Sequence, residues 1–236
     1  MEQSASNYYV THKKKMMKFF KTVTKKSTTI INTKFSDKLN TPIMDDIKME
    51  YENLLPHIPY IGGIEPWTKQ LLLTAIFLSV YNKLSTLGKS VEEAWEVCNT
   101  IMKVQLYSIP RLMRKIIKRS VFTKKQMHTY KLQSLKSHER IYPQGDVFNF
   151  IESDNGSYDY GIDIIECAKV KFIKEQQAME FMPYICLIDK LWAEIFEYGL
   201  VRKGTIAEGC EMCDFRLKKD GVVNVASSVW KKEWSN

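Results

Sequence analysis

The chain has 236 residues, of which 44% are hydrophobic and 12% aromatic, and a formal net charge of +8. This length and apolar content support a real core, so disorder along most of the chain is excluded. The longest apolar run, LLLTAIFLSVY at residues 71–81, is too short to span a bilayer. The polar, lysine-rich start lacks a hydrophobic signal segment and the five cysteines are an odd number, so we expect a cytoplasmic protein with reduced thiols.

A basic arm is predicted over residues 1–40, which are rich in Lys, Thr, Ser and Asn. Met16, Met17, Phe19 and Phe20 are interleaved with lysines, which indicates a short amphipathic helix followed by a loose segment. We expect a solvated arm that packs on the body of the protein. Binding to nucleic acid or to an anionic membrane is the alternative, but no recognisable binding module supports it, and no nucleic-acid partner is expected.

The next hundred residues read as helices. Ser90 and Glu93 have the capping-box spacing, which predicts a helix that begins there and runs through Val104. The apolar pattern around Cys98 places this thiol in the core. Further helices are predicted at 43–55, 67–84 (strongly apolar), after Pro110 (basic and amphipathic) and up to about Leu135.

Strand signals appear near residue 142. Two β-type runs, 147–151 and 158–165, flank a turn at Ser153–Gly156 and predict a hairpin. Helices follow at 166–179 and from Pro183 to Tyr198, where Gly199 is a stop signal, and a strand is predicted from Cys213 to Lys218. The predicted fold class is α+β, with a helical N-terminal half and then a small antiparallel sheet with packed helices. Residues 41–236 are expected to form one domain, helical over 41–140 and sheet-containing over 141–236.

Reactive side chains are concentrated between residues 180 and 221. Cys186 and Asp189 are three apart in a predicted helix and therefore share a face. A carboxylate beside a thiol orients a substrate or moves a proton, although it raises the thiol pKa. The alternative is a buried cysteine that acts as a small hydrophobic residue, with the aspartate paired elsewhere. Arg202 precedes Gly204 and could clamp a carboxylate, or could be a solvated charge at a helix end.

Cys210 and Cys213 form a C-x-x-C pair, which suggests a redox motif or half of a zinc site. The pair leads into a strand, unlike a thioredoxin-type motif, and no second local pair completes a zinc site. Cys167 and Cys186 could join it only through the fold. All four histidines lie in the N-terminal part, so the sequence shows no Cys-His dyad. No cofactor or metal ligand is predicted, and P-loop, G-x-G-x-x-G, H-E-x-x-H and G-x-S-x-G motifs are absent.

Several ordered motifs in the C-terminal third resemble the L-2-amino-thiazoline-4-carboxylic acid hydrolase family. They are Glu166-Cys167 after an aromatic strand, Cys186-x-x-Asp189 in a Pro-led helix, Arg202 with Thr205-Ile206-Ala207 and Gly209, and Cys213-Asp214-Phe215-Arg216. The close resemblance covers about 80 residues and the helical half matches only loosely. Cys210 departs from the family pattern, which has a second glycine there, so substrate specificity could differ.

The resemblance implies a hydrolase of cysteine metabolism that opens a cyclic isothiourea, 2-amino-thiazoline-4-carboxylate, to a carbamoyl-cysteine. Cys213 or Cys186 is the expected nucleophile, with Cys167 as a further candidate. Asp189 and Asp214 are the expected acid/base and amidinium partners, and Arg202, Thr205 and Glu166 bind substrate. The expected partner is therefore a small molecule, and the apolar helices are compatible with a homo-oligomer.

Three alternatives remain open. A related enzyme could act on another heterocycle or close a ring in biosynthesis. A ligand- or metal-binding module could use Cys167, Cys186, Cys210 and Cys213. A basic interaction protein could bind an anionic partner through its N-terminal arm.

Overall fold

The computed structural model describes residues 8–35, 42–63, 66–153 and 155–230. The chain divides into two compact units. The first comprises Met1–Ser108 and Phe172–Phe181, and the second comprises Ile109–Lys171 and Met182–Asn236. In the described part of the chain, no helix is long and apolar enough to cross a membrane.

The first unit is helical. Its helices are α1 (Tyr8–Thr11), α2 (Lys13–Thr24), α3 (Thr28–Phe35), α4 (Ile43–Leu54), α5 (Pro66–Thr86) and α6 (Val91–Tyr107), with 3-10 turns at Leu55–His57 and Met179–Phe181. The amphipathic helix predicted in the arm is α2, which buries Met16 and Phe20. The segment predicted to be loose is helical over α3, and residues 1–7 and 36–40 of the arm lie outside the described residues.

Helix α5 supplies the core of this unit. Most residues of its apolar run are buried, and Leu71, Ile76 and Phe77 are 0% exposed, because α4 and α6 pack against this helix. The predicted capping box is confirmed. Ser90 accepts a hydrogen bond from the Glu93 amide, and the Glu93 carboxylate accepts one from the Ser90 amide. Cys98 is fully buried in α6, as predicted.

The second unit contains the sheet and the helices around it. The helices are α7 (Arg111–Val121), α8 (Lys124–Ser137), α9 (Ala168–Glu175), α10 (Met182–Ile185) and α11 (Ile188–Phe196), of which α9 begins in this unit and ends in the first. The strands are β1 (Val147–Glu152), β2 (Tyr160–Glu166), β3 (Gly199–Arg202), β4 (Cys213–Lys218) and β5 (Val223–Val225).

The sheet has five strands in the order β1-β2-β4-β3-β5. Every pairing is antiparallel except that of β3 with β5, which is parallel. The α+β class is therefore confirmed, but the sheet is mixed rather than purely antiparallel. The predicted hairpin forms between β1 and β2, with Gly156 in the left-handed region at φ 74°. Asp154 of the predicted turn lies outside the described residues.

The two faces of the sheet differ in chemistry, since successive residues of a strand point to opposite sides. One face carries Ile162 and Ile164 of β2, Leu200 and Arg202 of β3, and Cys213 of β4, all of which are buried. The other face carries Asn149, Asp163, Asp214 and Arg216. Asp163 and Arg216 form an ion pair at 2.5 Å on that face.

The helix predicted from Pro183 to Tyr198 is two helices, α10 and α11, with a turn at Cys186 and Leu187 between them. Glu197 ends α11 in the left-handed conformation at φ 60°. Gly199 is not the stop that the sequence indicated but the first residue of β3, where the Gly221 backbone approaches so closely that a Cβ would lie 2.6 Å from its Cα. The turn is important for the site because it presents the Cys186 carbonyl oxygen.

Candidate functional site

Arg202 is the centre of the candidate site. It is the last residue of β3 and is 1% exposed, on the buried face of the sheet. Its Nη1 donates to the Cys186 carbonyl oxygen at 3.0 Å and to Asp189 Oδ2 at 3.0 Å. The sequence predicts that Cys186 and Asp189 share one face of a continuous helix. Instead, a turn separates them, and both accept hydrogen bonds from Arg202 Nη1.

The remaining edge of the Arg202 guanidinium is buried without a hydrogen-bond partner in the described structure, since neither Nε nor Nη2 has one. These two nitrogens form the side of the guanidinium that binds a carboxylate bidentately. Arg140 uses the same pair of nitrogens to hold Glu166 Oε1, at 3.1 and 2.8 Å. Buried donors without a partner are costly, so this edge is the position in the described structure where an added carboxylate would satisfy two donors at once.

Two thiols, Cys186 and Cys213, lie close enough to Arg202 for their charges to interact, and Cys167 lies within the same range of both thiols. Cys167, Cys186 and Cys213 are buried, at 5%, 7% and 5% exposure. Burial raises the pKa of all three, to about 12 for Cys167, and the Arg202 cation opposes the rise at Cys186 and Cys213. The resting site therefore holds neutral thiols at neutral pH.

Cys213 is the thiol with the best means of stabilising a thiolate. Its Sγ accepts a hydrogen bond from the Ile206 backbone N–H at 3.2 Å, and this contact opposes the rise in its pKa. Hydrogen bonding to the charged form favours that form, which is also the nucleophilic one.

Lys169 adds a second cation. This half-buried residue lies near the start of α9, two residues after Cys167. Burial alone would lower the pKa of Lys169, but the negative charge of the nearby Asp189 carboxylate, the largest opposing cause, raises it overall. Asp146 also lies near Cys167 and Lys169. Burial raises the pKa of its carboxyl, and its Oδ1 accepts a hydrogen bond from the Ala168 amide at 2.9 Å.

Thr205 and Glu208 hold the loop after β3. The Thr205 side chain is fully buried, and its hydroxyl donates to Glu208 Oε2 at 2.9 Å. Burial raises the pKa of Glu208, but hydrogen bonds from the Ser228 amide and hydroxyl outweigh it, so the net shift is downward. This loop carries the Ile206 amide that contacts Cys213.

Two predicted site residues are placed elsewhere. Asp214 lies on the opposite face of the sheet from Cys213, and its Oδ1 accepts hydrogen bonds from the Lys203 and Gly204 amides at 2.8 and 3.0 Å. Glu166 forms ion pairs with Arg140 and Lys171, at 2.8 and 2.6 Å. Both carboxylates are engaged in holding the backbone or other side chains near the thiols.

The C-x-x-C pair is divided between two environments, with Cys210 exposed and Cys213 buried, and all five cysteines are free. The Cys210 side chain packs against Gly204, where a Cβ would lie 2.4 Å from its Sγ. No group of three or more His, Cys, Asp and Glu side chains in the described residues is placed so that it could hold a metal ion.

Sequence reasoning missed Lys169, Asp146 and Glu208. A signal existed for Glu208, because Thr205 and Glu208 have the spacing of a capping box. No local signal pointed to Asp146, which meets Cys167 only because β1 pairs with β2. In the sequence, Lys169 is indistinguishable from a lysine on a helix surface, and only the fold brings it near Asp189 and the thiols.

Comparison with protein families gives a match to the family described as L-2-amino-thiazoline-4-carboxylic acid hydrolase, over residues 74–217. That range covers more than half of the chain and contains Arg202, the three buried thiols, Asp189 and Lys169. Searches of curated proteins and of solved structures find no match to this chain.

Proposed function

The chain belongs to the L-2-amino-thiazoline-4-carboxylic acid hydrolase family, and on that premise we propose that it opens 2-amino-thiazoline-4-carboxylate, or a closely related cyclic amidine acid, by addition of water. The observation that carries the proposal is the buried Nε–Nη2 edge of the Arg202 guanidinium, which has no hydrogen-bond partner among the described residues and lies near the Cys186 and Cys213 thiols. A small substrate with a carboxylate near an electrophilic carbon satisfies both features at once.

The charges of the site match those of the substrate. Arg202 offers two donors for the 4-carboxylate, and Asp189 lies next to it, with a side chain 30% exposed and an Oδ2 that accepts from Arg202 Nη1. The 2-amino-thiazoline ring is basic, and it becomes an amidinium when its ring nitrogen takes a proton in the site. Asp189 accepts a hydrogen bond from that amidinium while Arg202 binds the carboxylate, and this pairing orients the ring.

Cys213 is the proposed nucleophile. Its thiol proton passes to the ring nitrogen, and the sulfur adds to C2 of the resulting amidinium. The C2–S bond of the ring then breaks, and the ring sulfur leaves as a thiol after it takes a proton from the exocyclic nitrogen. Water attacks C2 of the enzyme-bound isothiourea, the Cys213 thiol leaves, and the product is N-carbamoyl-cysteine. The Ile206 amide stabilises the thiolate in both steps.

The remaining residues near the site hold the backbone or supply charge and do not contact the reacting atoms. Asp214 fixes the Lys203–Gly204 backbone and so sets where the Ile206 amide lies. Thr205 and Glu208 hold the same loop from its other end. Lys169 supplies positive charge next to Cys167 and Cys186.

The direct test is incubation of the purified full chain with L-2-amino-thiazoline-4-carboxylate, with and without EDTA, followed by mass spectrometry. A product heavier by one water, formed with EDTA present, supports the proposal. Activity that EDTA abolishes would assign the cysteines to metal binding instead. Absence of product from folded protein, with activity on an oxazoline or imidazoline carboxylate, would change the substrate but retain the mechanism.

The nucleophile is tested by single Cys→Ala variants. Cys213→Ala is expected to abolish turnover, whereas Cys186→Ala is expected to reduce it. An intermediate trapped by acid quench should carry the substrate mass on the peptide that contains Cys213. Full activity in Cys213→Ala would exclude this assignment, and full activity in both variants would exclude covalent catalysis by either thiol.

A further inference from the structure

Helix α7 turns its apolar side to solvent. None of its residues is buried. Leu112, Met113 and Ile116 are 71%, 46% and 48% exposed, although they are the apolar stripe that an amphipathic helix normally packs against the core. The stripe is continuous, because residues three and four apart on a helix are neighbours on its surface.

The opposite side of the same helix, which contains Arg114, Ile117, Lys118 and Val121, is half-buried. Arg114 Nη1 donates to the Ile195 carbonyl oxygen at 3.5 Å, and Lys118 forms an ion pair with Asp220 at 2.8 Å. Helix α11, which contains Ile195, packs against α7. The inward side therefore combines two cations with two apolar side chains, and the stripe of Leu112, Met113 and Ile116 is left outward.

Further cations lie outward along this stripe. Arg111, Lys115 and Arg119 are exposed, and helical spacing places Lys115 and Arg119 directly beside the edge formed by Leu112 and Ile116. No Asp or Glu occurs anywhere in residues 97–138. That stretch contains ten Lys and Arg residues, Lys103, Arg111, Arg114, Lys115, Lys118, Arg119, Lys124, Lys125, Lys131 and Lys136.

We propose that α7 docks the protein on an anionic lipid surface, with Leu112, Met113 and Ile116 inserted at the headgroup level and Arg111, Lys115 and Arg119 on the lipid phosphates. An apolar stripe beside cations is the pattern of a helix that lies in the membrane interface. A second copy fits less well, because two such helices would bring their cations together without a carboxylate between them. Nucleic acid would use the cations and leave the apolar stripe exposed.

The first experiment is co-sedimentation of the full chain with vesicles of phosphatidylcholine alone and with vesicles that also contain phosphatidylglycerol. Binding is expected only to the anionic vesicles and is expected to weaken as salt rises, because exposed charges are screened. Equal binding to both vesicle types, or no binding to either, would overturn the proposal.

Variants then test the helix itself. Leu112→Ser with Ile116→Ser is expected to lower partitioning at least tenfold, since both side chains lose their transfer from water. Each of Lys115→Gln and Arg119→Gln is expected to lower it about fivefold. The matched control is Met49→Ser, which removes a 59% exposed apolar side chain from α4 of the first unit and should bind like the wild type.

All five positions are exposed, so the variants should fold, and circular dichroism checks this. Sedimentation of the protein without lipid tests whether the apolar stripe binds a second copy instead of a membrane. A dimer that the double serine variant dissociates, without vesicle binding, would assign the stripe to a second copy and overturn the proposal. Salt-sensitive binding to nucleic acid that the double serine variant retains, again without vesicle binding, would overturn it as well.

Discussion

Replacement of Arg202 by lysine tests the carboxylate site most directly. The change retains a positive charge beside Asp189 but removes the Nε–Nη2 edge that has no partner in the described structure. If that edge binds the substrate carboxylate, Arg202→Lys removes two charge-assisted hydrogen bonds. Each is worth about 1.5 kcal/mol or more, so together they amount to about 3 kcal/mol, or about 150-fold in kcat/KM.

The assay is a cycle that combines the variant with a change in the substrate. The wild type and Arg202→Lys are each measured on 2-amino-thiazoline-4-carboxylate and on 2-amino-thiazoline, which lacks the carboxylate. The wild type should prefer the carboxylate by about 150-fold, and Arg202→Lys should prefer it by about tenfold or less, because lysine retains a point charge but no bidentate edge. The coupling between residue and carboxylate isolates the contact from general damage to the site.

The control is Arg140→Lys. Arg140 uses the same two nitrogens to hold Glu166, but its side chain is 54% exposed and lies at the surface. This variant should change neither substrate preference nor stability by much, as is usual for exposed ion pairs. An unchanged carboxylate preference in Arg202→Lys, with both substrates slowed alike, would show that Arg202 supports the fold and does not bind the substrate.

Three further predictions concern stability. Ser90→Ala should lower the free energy of unfolding, measured by urea denaturation, by about 1 kcal/mol, because the Glu93 amide loses its acceptor. Ser90→Thr keeps a hydroxyl acceptor and should not lower it, so an equal loss in both variants would contradict the role of the cap. Gly161→Ala should cost about 1–3 kcal/mol by the same measurement, since a Cβ there would lie 2.9 Å from the Phe215 carbonyl oxygen, and wild-type stability would show that the sheet adjusts freely. Burial raises the pKa of Cys167 from 9.0 to about 12, so its contribution to the free energy of unfolding is complete below pH 9 and is lost as pH rises towards 12. Cys167→Ala should make the free energy of unfolding less dependent on pH over that range. Rapid alkylation of this thiol in folded protein near neutral pH would contradict the raised pKa.

Local patterns in the sequence predicted most elements well. The capping box at Ser90, the apolar run of α5 and the two strand patterns around Gly156 all depend on residues close in sequence, so the structure confirms them. Strands β3 and β5 have four and three residues and exist only because β4 pairs with β3 and β3 with β5. Such short strands have no periodicity that distinguishes them from loop.

The sequence by itself determined the family and supplied most of the candidate site residues, because ordered motifs need no fold to be recognised. Only the tertiary structure decided which of those residues meet. The pairing of β3 with β4 places Arg202 on the same buried face as Cys213 and leaves Asp214 on the other. The broken helix at Cys186 then occupies one edge of the guanidinium and leaves the second edge open. Burial and hydrogen-bond partners depend on contacts between residues distant in sequence, and for that reason no local pattern encodes them.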